Sequence, residues 1–446
     1  MCIRDSNNTL LITGESYPRK IAESVLSGDG FECAISAYNP NYMFGESQYG
    51  NLRRSITAGS SFESMWDNRI SSSFASAQRP TGYFNNPFTL WENPAVIDSI
   101  ETFGKRTSDD SIANARIFFA TNDGVWMCKN AYGKPHDPTG PKDGSIRWFR
   151  ISNLRRVHYM KPSKNGESLF VTTNSGRIYR VDNLLTTQFD TISLPTNNQI
   201  AANLTTTEIS QDMGLSSSRT VTSIAIDPEN PNRMVATAGN YGNTNYVYVT
   251  ENAMDASPSW TSIQGNLPRF PVYHALISIK NPDVIILGTE FGIWATNNGL
   301  SANPTWAEAS DGIDSDMPFP KVPVFDLVQV ESNSSTGPRI YAGTHGMGIW
   351  ETKSMLTSVR PNNNNPDTRI INAYPNPANS FVNIDAEIKG SFSLKVYSLT
   401  GNIVYQTKGS NSKTVQISTS EWKSGNYFVE ILGNNTKNTS KIIVQH

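Results

Sequence analysis

The stretch Val272-Tyr-His-Ala-Leu-Ile-Ser-Ile-Lys-Asn-Pro-Asp283, continued by Val284-Ile-Ile-Leu-Gly-Thr289, decides the fold. It opens on an alternating apolar segment, Ala275 to Ile279. It turns at Asn281-Pro282, where Pro fixes φ and Asn tolerates the left-handed region, and then runs into a short buried strand pattern. The hairpin Glu290-Phe291-Gly292 and the strand Ile293-Trp-Ala-Thr296 follow, and a Gly/Asn turn leads to a fourth strand near Trp306. The same order begins at Val221 and again at Val324, so these units start 51 and 52 residues apart. Weaker copies lie upstream, at Phe31–Glu46, at Ala115–Trp126 and from Val157 to Tyr179. Four short strands repeated at this period are the pattern of a β-propeller blade. About six blades can be read, complete or partial. A β-sandwich would not repeat four strands in a constant order.

Composition agrees with an all-β chain. At about 150 residues per domain, 446 residues suggest about three domains, or one large repeat fold. Charged residues are only 17% of the chain and aromatics reach 10%, with Asn, Ser, Thr and Gly filling the difference. Helix interiors have little use for those residues, so a coiled coil, a bundle or a disordered chain is excluded. The charge of 37 Lys and Arg against 39 Asp and Glu nets −2, which argues against a nucleic-acid partner held by a basic face. No apolar run reaches the length of a transmembrane helix. The start, Met1-Cys-Ile-Arg-Asp-Ser6, has no apolar signal segment. Cys2, Cys33 and Cys128 are too few and too scattered for a disulfide framework or a metal cluster.

The turns after the third strands carry a further signature. Ser55-Ile-Thr-Ala-Gly59, Thr250-Glu-Asn252 with Trp260, and Thr296-Asn-Asn-Gly299 with Trp306 resemble the Asp-box, Ser-x-Asp-x-Gly-x-Thr-Trp. That box closes a turn and wedges its Trp between blades, so it marks a fold and no reaction. With Gly28-Asp-Gly-Phe31, Gly45-Glu-Ser-Gln-Tyr-Gly50 and Tyr341-Ala-Gly-Thr-His-Gly-Met-Gly-Ile-Trp350, the chain is similar over about residues 20–353 to sortilin-like, Asp-box (BNR-type) propellers of secreted bacterial proteins. The resemblance implies blades ahead of the Gly28-Asp-Gly30 segment. Residues 1–20 are therefore expected to be a leader with a partial strand and not the native start. The ring is expected to lack its first blade or blades, and the native signal peptide to be missing from this chain.

Residues 21–355 form the propeller in this reading, and the Asn/Pro-rich 356–370 a linker. Residues 371–446 change character. They hold seven Lys and four acidic residues, +3, which leaves −5 of the net −2 for the rest. Short alternating strands with turn signals every 8 to 12 residues indicate a small Ig-like β-sandwich. Tyr374-Pro375-Asn376-Pro377, the Leu394–Gly401 strand and turn, the Gly425-Asn-Tyr427 strand and Lys441-Ile-Ile-Val444 resemble the type IX (Por) secretion C-terminal sorting domain, type A. The resemblance implies export from a Gram-negative bacterium, followed by release or attachment to the outer-membrane surface. The implied partners are the outer-membrane machinery of that system and its sortase. In structural terms Pro375 and Pro377 hold the entry turn, and Gly401 and Gly425 supply tight turns.

Strand alternation within a blade puts the loops between second and third strands on one rim, together with the loops between blades. Asp29, Glu46, Gln48, Tyr49, Tyr241, Asn243, Glu290, Phe291, His345 and Met347 are expected there, a candidate surface for a glycan or protein ligand. Ordinary hairpin-tip residues are the plain alternative. A sialidase would need a Phe/Tyr-Arg-Ile-Pro segment, which the sequence lacks. A xyloglucanase-like glycoside hydrolase would need two carboxylates across a cleft, and Asp29, Glu46, Glu290 and Asp311 are the available ones. No two of the five histidines are spaced i, i+4 as in a helical metal site. Asp311, Asp314 and Asp316 offer a weak calcium site without the ordered ligand spacing of a calcium loop. No other cofactor is implied. The sequence assembles no catalytic set, so the reading leans to a binding module, with a hydrolase or a structural adhesion protein as alternatives.

Overall fold

The computed structural model describes residues 2–5, 8–12, 22–66, 84–93, 114–133, 148–187, 200–308, 319–330, 339–352, 372–385, 390–398, 402–411, 414–433 and 436–446. They fall into two compact units, Met1–Pro361 and Asn362–His446. The only helical element among them is the 3₁₀ turn Gln211–Met213. Among the described residues no helix is long and apolar enough to cross a membrane. The linker 356–370, Gly401, Asp311, Asp314 and Asp316 lie outside the described residues.

The first unit is a β-propeller of consecutive antiparallel sheets whose strands follow chain order. Seven sheets occur among the described residues. The second to sixth have four strands, and the first and seventh have three. The first strands of successive sheets are Cys2–Asp5, Gly30–Ile35, Phe88–Asn93, Val157–Pro162, Val221–Asp227, Val272–Ile277 and Val324–Val330, and each lies beside the next. Residues 1–20, expected as a leader with a partial strand, contribute two strands to the first sheet, Cys2–Asp5 and Asn8–Ile12. Strands of four and five residues are too short to show a period.

The hydrophobic clusters lie between sheets. Ala225, Val235 and Val247 of the fifth sheet pack on Val272, Ile285 and Leu287 of the sixth. Ile286 and Ile293 of the sixth pack on Val324, Leu327 and Ile340 of the seventh. Each buried Leu, Ile or Val adds about 1.5–3 kcal/mol. Polar clamps recur beside these clusters. The indoles of Trp148, Trp260 and Trp306 donate to the carbonyls of Met65, Ile209 and Ile263, at 2.6, 2.6 and 2.9 Å, each just past the outer strand of the preceding sheet. In the opposite direction, the buried Arg54 reaches the Ala131 and Gly133 carbonyls at 2.7 and 2.6 Å. Arg180 reaches those of Ala253 and Asp255 at 2.6 and 3.0 Å.

The turns read from the sequence are closed by side chains. Ser55 accepts from the Gly59 N–H at 2.9 Å. Asn252 and Asn298 accept from the Ser259 and Thr305 N–H groups, both at 3.0 Å.

The second unit stacks a three-stranded sheet (Asn372–Tyr374, Phe381–Asp385, Thr414–Ser418) on a four-stranded one (Ile403–Ser410, Ser391–Ser398, Gly425–Gly433, Thr436–Val444). Its core is its own: Val382, Ile384, Leu394, Val396, Ile417, Val429, Ile431, Ile442 and Val444. Inward and outward residues alternate along Ser391–Ser398, as a half-exposed antiparallel sheet requires.

Candidate functional site

The rim is built by a bulge that recurs at the start of four consecutive first strands. Pairing with the second strand slips between Val157 and Tyr159, Val221 and Ser223, Val272 and His274, and Val324 and Asp326. The residues put out of the ladder are His158, Thr222, Tyr273 and Phe325. A bulge re-aims one side chain without ending the strand, which is why bulges gather beside sites. Just across from them, the tips between second and third strands are tied to the approach to the first strand. Gly239 donates to the Thr220 carbonyl at 3.0 Å, Glu290 to Pro271 at 3.0 Å and His345 to Pro323 at 2.8 Å.

In the fifth to seventh sheets these two sets of residues meet. The Tyr273 hydroxyl donates to the Glu290 carboxylate. The exposed Tyr241 lies within electrostatic reach of the same carboxylate. Burial raises the phenol pKa of Tyr273, and the bond to Glu290 and its charge add to the rise. The Tyr273 ring lies 4.9 Å from Phe325, and Phe325 lies 5.8 Å from the His345 ring. Phe291 rests on Phe270 at 5.5 Å. Arg219 holds the Tyr241 tip through the Tyr241 and Gly242 carbonyls at 2.7 and 3.2 Å. The rings of Tyr241, Phe291 and Phe325 remain 60%, 48% and 40% exposed, and Met347 is exposed beside His345.

One register step deeper, Tyr159, Ser223, His274 and Asp326 occupy the same ladder position of the fourth to seventh sheets. His274 Nε2 lies 3.2 Å from the Tyr159 hydroxyl and 3.4 Å from the Asp326 carboxylate. Both contacts use the same ring nitrogen, Nε2. Burial pushes the Tyr159 phenol up, helped by the charges of Asp326 and Glu32. Burial also lowers the Lys161 ammonium, and Asp326 partly offsets this.

The expected rim residues separate into two groups. Tyr241, Glu290, Phe291, His345 and Met347 belong to the mouth just described. Asn243 is buried and holds its own loop by donating to the Gly239 and Asn240 carbonyls. Gln48 and Tyr49 form a tip of the second sheet, and Asp29 lies in the turn that leads into its first strand. There Gln48 accepts from the Asp29 N–H at 2.9 Å, and Tyr49 meets the exposed Phe84 edge-on at 5.5 Å. Gln48 and Tyr49 border a cleft of about 480 Å³ with Gly28, Arg53 and Trp66. Glu46 is not at the rim. It is fully buried in the strand Met43–Ser47 and accepts from the Asn86 N–H at 2.9 Å, because the strand runs on to Ser47 and puts the tip at Tyr49-Gly50. Of the carboxylates named for a hydrolase, Asp29 and Glu290 are thus at different sheets, Glu46 is enclosed, and Asp311 lies outside the described residues. Among the described residues no three His, Cys, Asp or Glu gather around one point. The bulged Tyr273 and Phe325, and the deeper His274 and Asp326, are absent from the sequence reading, although the aligned Val157, Val221, Val272 and Val324 mark their places.

In the second unit, Asn376 ties the entry turn to the last strand. Its amide donates to the Lys441 carbonyl at 2.9 Å and accepts from the Ile443 N–H at 2.7 Å. Tyr374, Pro375 and Pro377 are exposed around it. Gly425 opens a strand opposite Val444, and Phe428 pairs with the exposed Lys441. Tyr427 is buried, stacks on Trp422 at 4.9 Å and donates to the Lys423 carbonyl at 2.8 Å.

The architecture defines an all-β protein, a propeller followed by a separate sandwich. The sandwich is a secretion system C-terminal sorting domain: residues 372–445 match that family. No curated protein matches the sequence. Among solved structures the chain is similar to the GH74 xyloglucanase of Xanthomonas campestris, at 11% identity and a TM-score of 0.41, covering 85% of this chain and 55% of that one. It is also similar to the GH74 enzyme of Niastella koreensis, at 11% identity and a TM-score of 0.42, covering 98% and 64%. A third is the extracellular domain of a hybrid two component system of B. thetaiotaomicron, at 11% identity and a TM-score of 0.46, covering 99% and 55%. The chain spans between about half and two thirds of the length of these proteins.

Proposed function

We propose that this chain is a type IX secretion cargo whose sorting domain carries a binding propeller to the cell exterior, where it is released or held on the outer-membrane surface. The type IX machinery and its sortase are the partners of residues 371–446. The propeller binds a glycan, a peptide or another surface partner through the mouth at Tyr241, Tyr273, Glu290, Phe325 and His345. One observation carries the binding reading. Three consecutive sheets deliver exposed rings and a hydroxyl-bonded carboxylate to one place, on backbone fixed by repeated cross-loop bonds. A rigid scaffold holding a few polar groups among aromatic rings is the usual make-up of a recognition site. Two experiments test the reading. Deleting residues 371–446 from the full-length protein should abolish export, and unchanged export would refute the cargo role. Glycan and peptide arrays probed with the intact chain should give a ligand that Tyr241→Ala loses. Turnover of a β-glucan with no ligand retained would instead favour the hydrolase.

A further inference from the structure

Glu290 is set apart from other carboxylates of the fifth to seventh sheets. Asp227 and Glu251 pair with Arg233, Glu308 with Lys321, and Glu351 with Arg339. Among the described residues Glu290 has no Lys or Arg partner. Its fixed neighbour is the Tyr273 hydroxyl, which donates to it without adding a positive charge. Exposed rings of Tyr241, Phe291 and Phe325 stand around it, and Asp326, next to Phe325, is 52% exposed at its side chain. A carboxylate with aromatic faces beside it is the arrangement that captures a cationic head group. The carboxylate supplies the charge, and the rings supply cation–π attraction. The charge balance agrees, since the chain outside residues 371–446 carries −5.

We propose that the mouth over the fifth to seventh sheets binds a lysine or arginine side chain presented by a basic peptide segment. The proposal rests on the reading of the propeller as a binding module and names its ligand class. The cation sits against Glu290 between the rings of Tyr241 and Phe325. The test titrates the intact chain with acetyl-Gly-Arg-Gly-Arg-Gly-amide and with the same peptide carrying citrulline for arginine, by calorimetry at low and high salt. Expected is saturable binding to the arginine peptide. Citrulline, Glu290→Gln or Tyr241→Ala each weaken it by about tenfold or more, and salt weakens it further. Glu290→Gln keeps an acceptor for the Tyr273 hydroxyl, so it tests charge without opening the fold. Asp29→Asn, beside the second sheet, leaves binding unchanged. Failure of the arginine peptide to bind overturns the proposal. If a neutral glycan then binds and Tyr241→Ala abolishes that binding, the mouth is still the binding site and only the cationic class is wrong. Peptide binding that ignores Glu290→Gln and Tyr241→Ala refutes both the ligand class and the placement of the site.

Discussion

Tyr159 shows what the repeated bulge does to a single side chain. One slipped residue puts Tyr159 in register with His274 and Asp326 and places its hydroxyl 3.2 Å from the His274 ring. Burial favours the neutral phenol, and the nearby Asp326 and Glu32 charges disfavour the phenolate further. The folded pKa therefore lies above the unfolded value of about 10. A raised pKa means stability that is fully present below about pH 10 and is lost as pH climbs toward the folded value. The half-buried Lys161, whose pKa is lowered, acts in the opposite sense, so its stabilising trend ends near its unfolded value of about 10.4. The difference between wild type and Tyr159→Phe cancels the lysine. Denaturant midpoints measured from pH 8 to 11.5 should fall less steeply above pH 10 in Tyr159→Phe. Parallel curves would mean that the phenol titrates normally. The same bulge marks the limit of the sequence reading. Alternation put Tyr241, Glu290 and Phe291 at a rim, because hairpin tips are written in Gly and Asn. It could not find Tyr273 or Phe325, since an inserted residue reverses the face of everything beyond it. Glu46 was misplaced for a related reason: nothing in Gly45-Glu46-Ser47 announces that the strand continues to Ser47.

Sheets in a repeat fold must lock to their neighbours, and here the lock runs both ways. Indoles reach back to the preceding outer strand and guanidinium groups reach forward to the next turn. Arg180 is the test case. It is buried, pairs with Asp182 at 2.7 Å and satisfies two carbonyls of the fifth sheet. Arg180→Met keeps much of the stem but strips Asp182 of its cation and the Ala253 and Asp255 carbonyls of their donor. Breaking a buried pair from one side costs about 3–5 kcal/mol. Arg180→Lys should recover only part of this, because one ammonium cannot reproduce the planar fork. Chemical denaturation of both variants checks it. A loss under about 1 kcal/mol in Arg180→Met would show that water replaces the guanidinium. The tryptophans of this scheme were readable as blade packing from their place before or within fourth strands. The arginines were not, since their acceptors are backbone carbonyls 73 and 75 residues away that no side-chain pattern records.

The two units draw their hydrophobic cores from separate parts of the chain. Every buried residue of the sandwich cluster lies between Ala378 and Val444, and the propeller clusters lie within residues 44–342. The change was visible in the sequence as the end of the 51-residue period and the switch from acidic to basic charge, because both are properties of composition and need no contact to be known. Separate cores imply separate cooperative transitions. Ile384→Ala removes a fully buried side chain of the sandwich, and Val235→Ala one of the propeller, where Val235 packs between the fifth and sixth sheets. Calorimetry of the whole chain should resolve two transitions. Ile384→Ala should lower one of them by the equivalent of about 2–5 kcal/mol, and Val235→Ala only the other, by a smaller amount because fewer methyl groups are lost. A single transition moved by both variants would show that the units unfold as one. Two transitions would mean that the sandwich holds its fold on its own core, independently of the propeller.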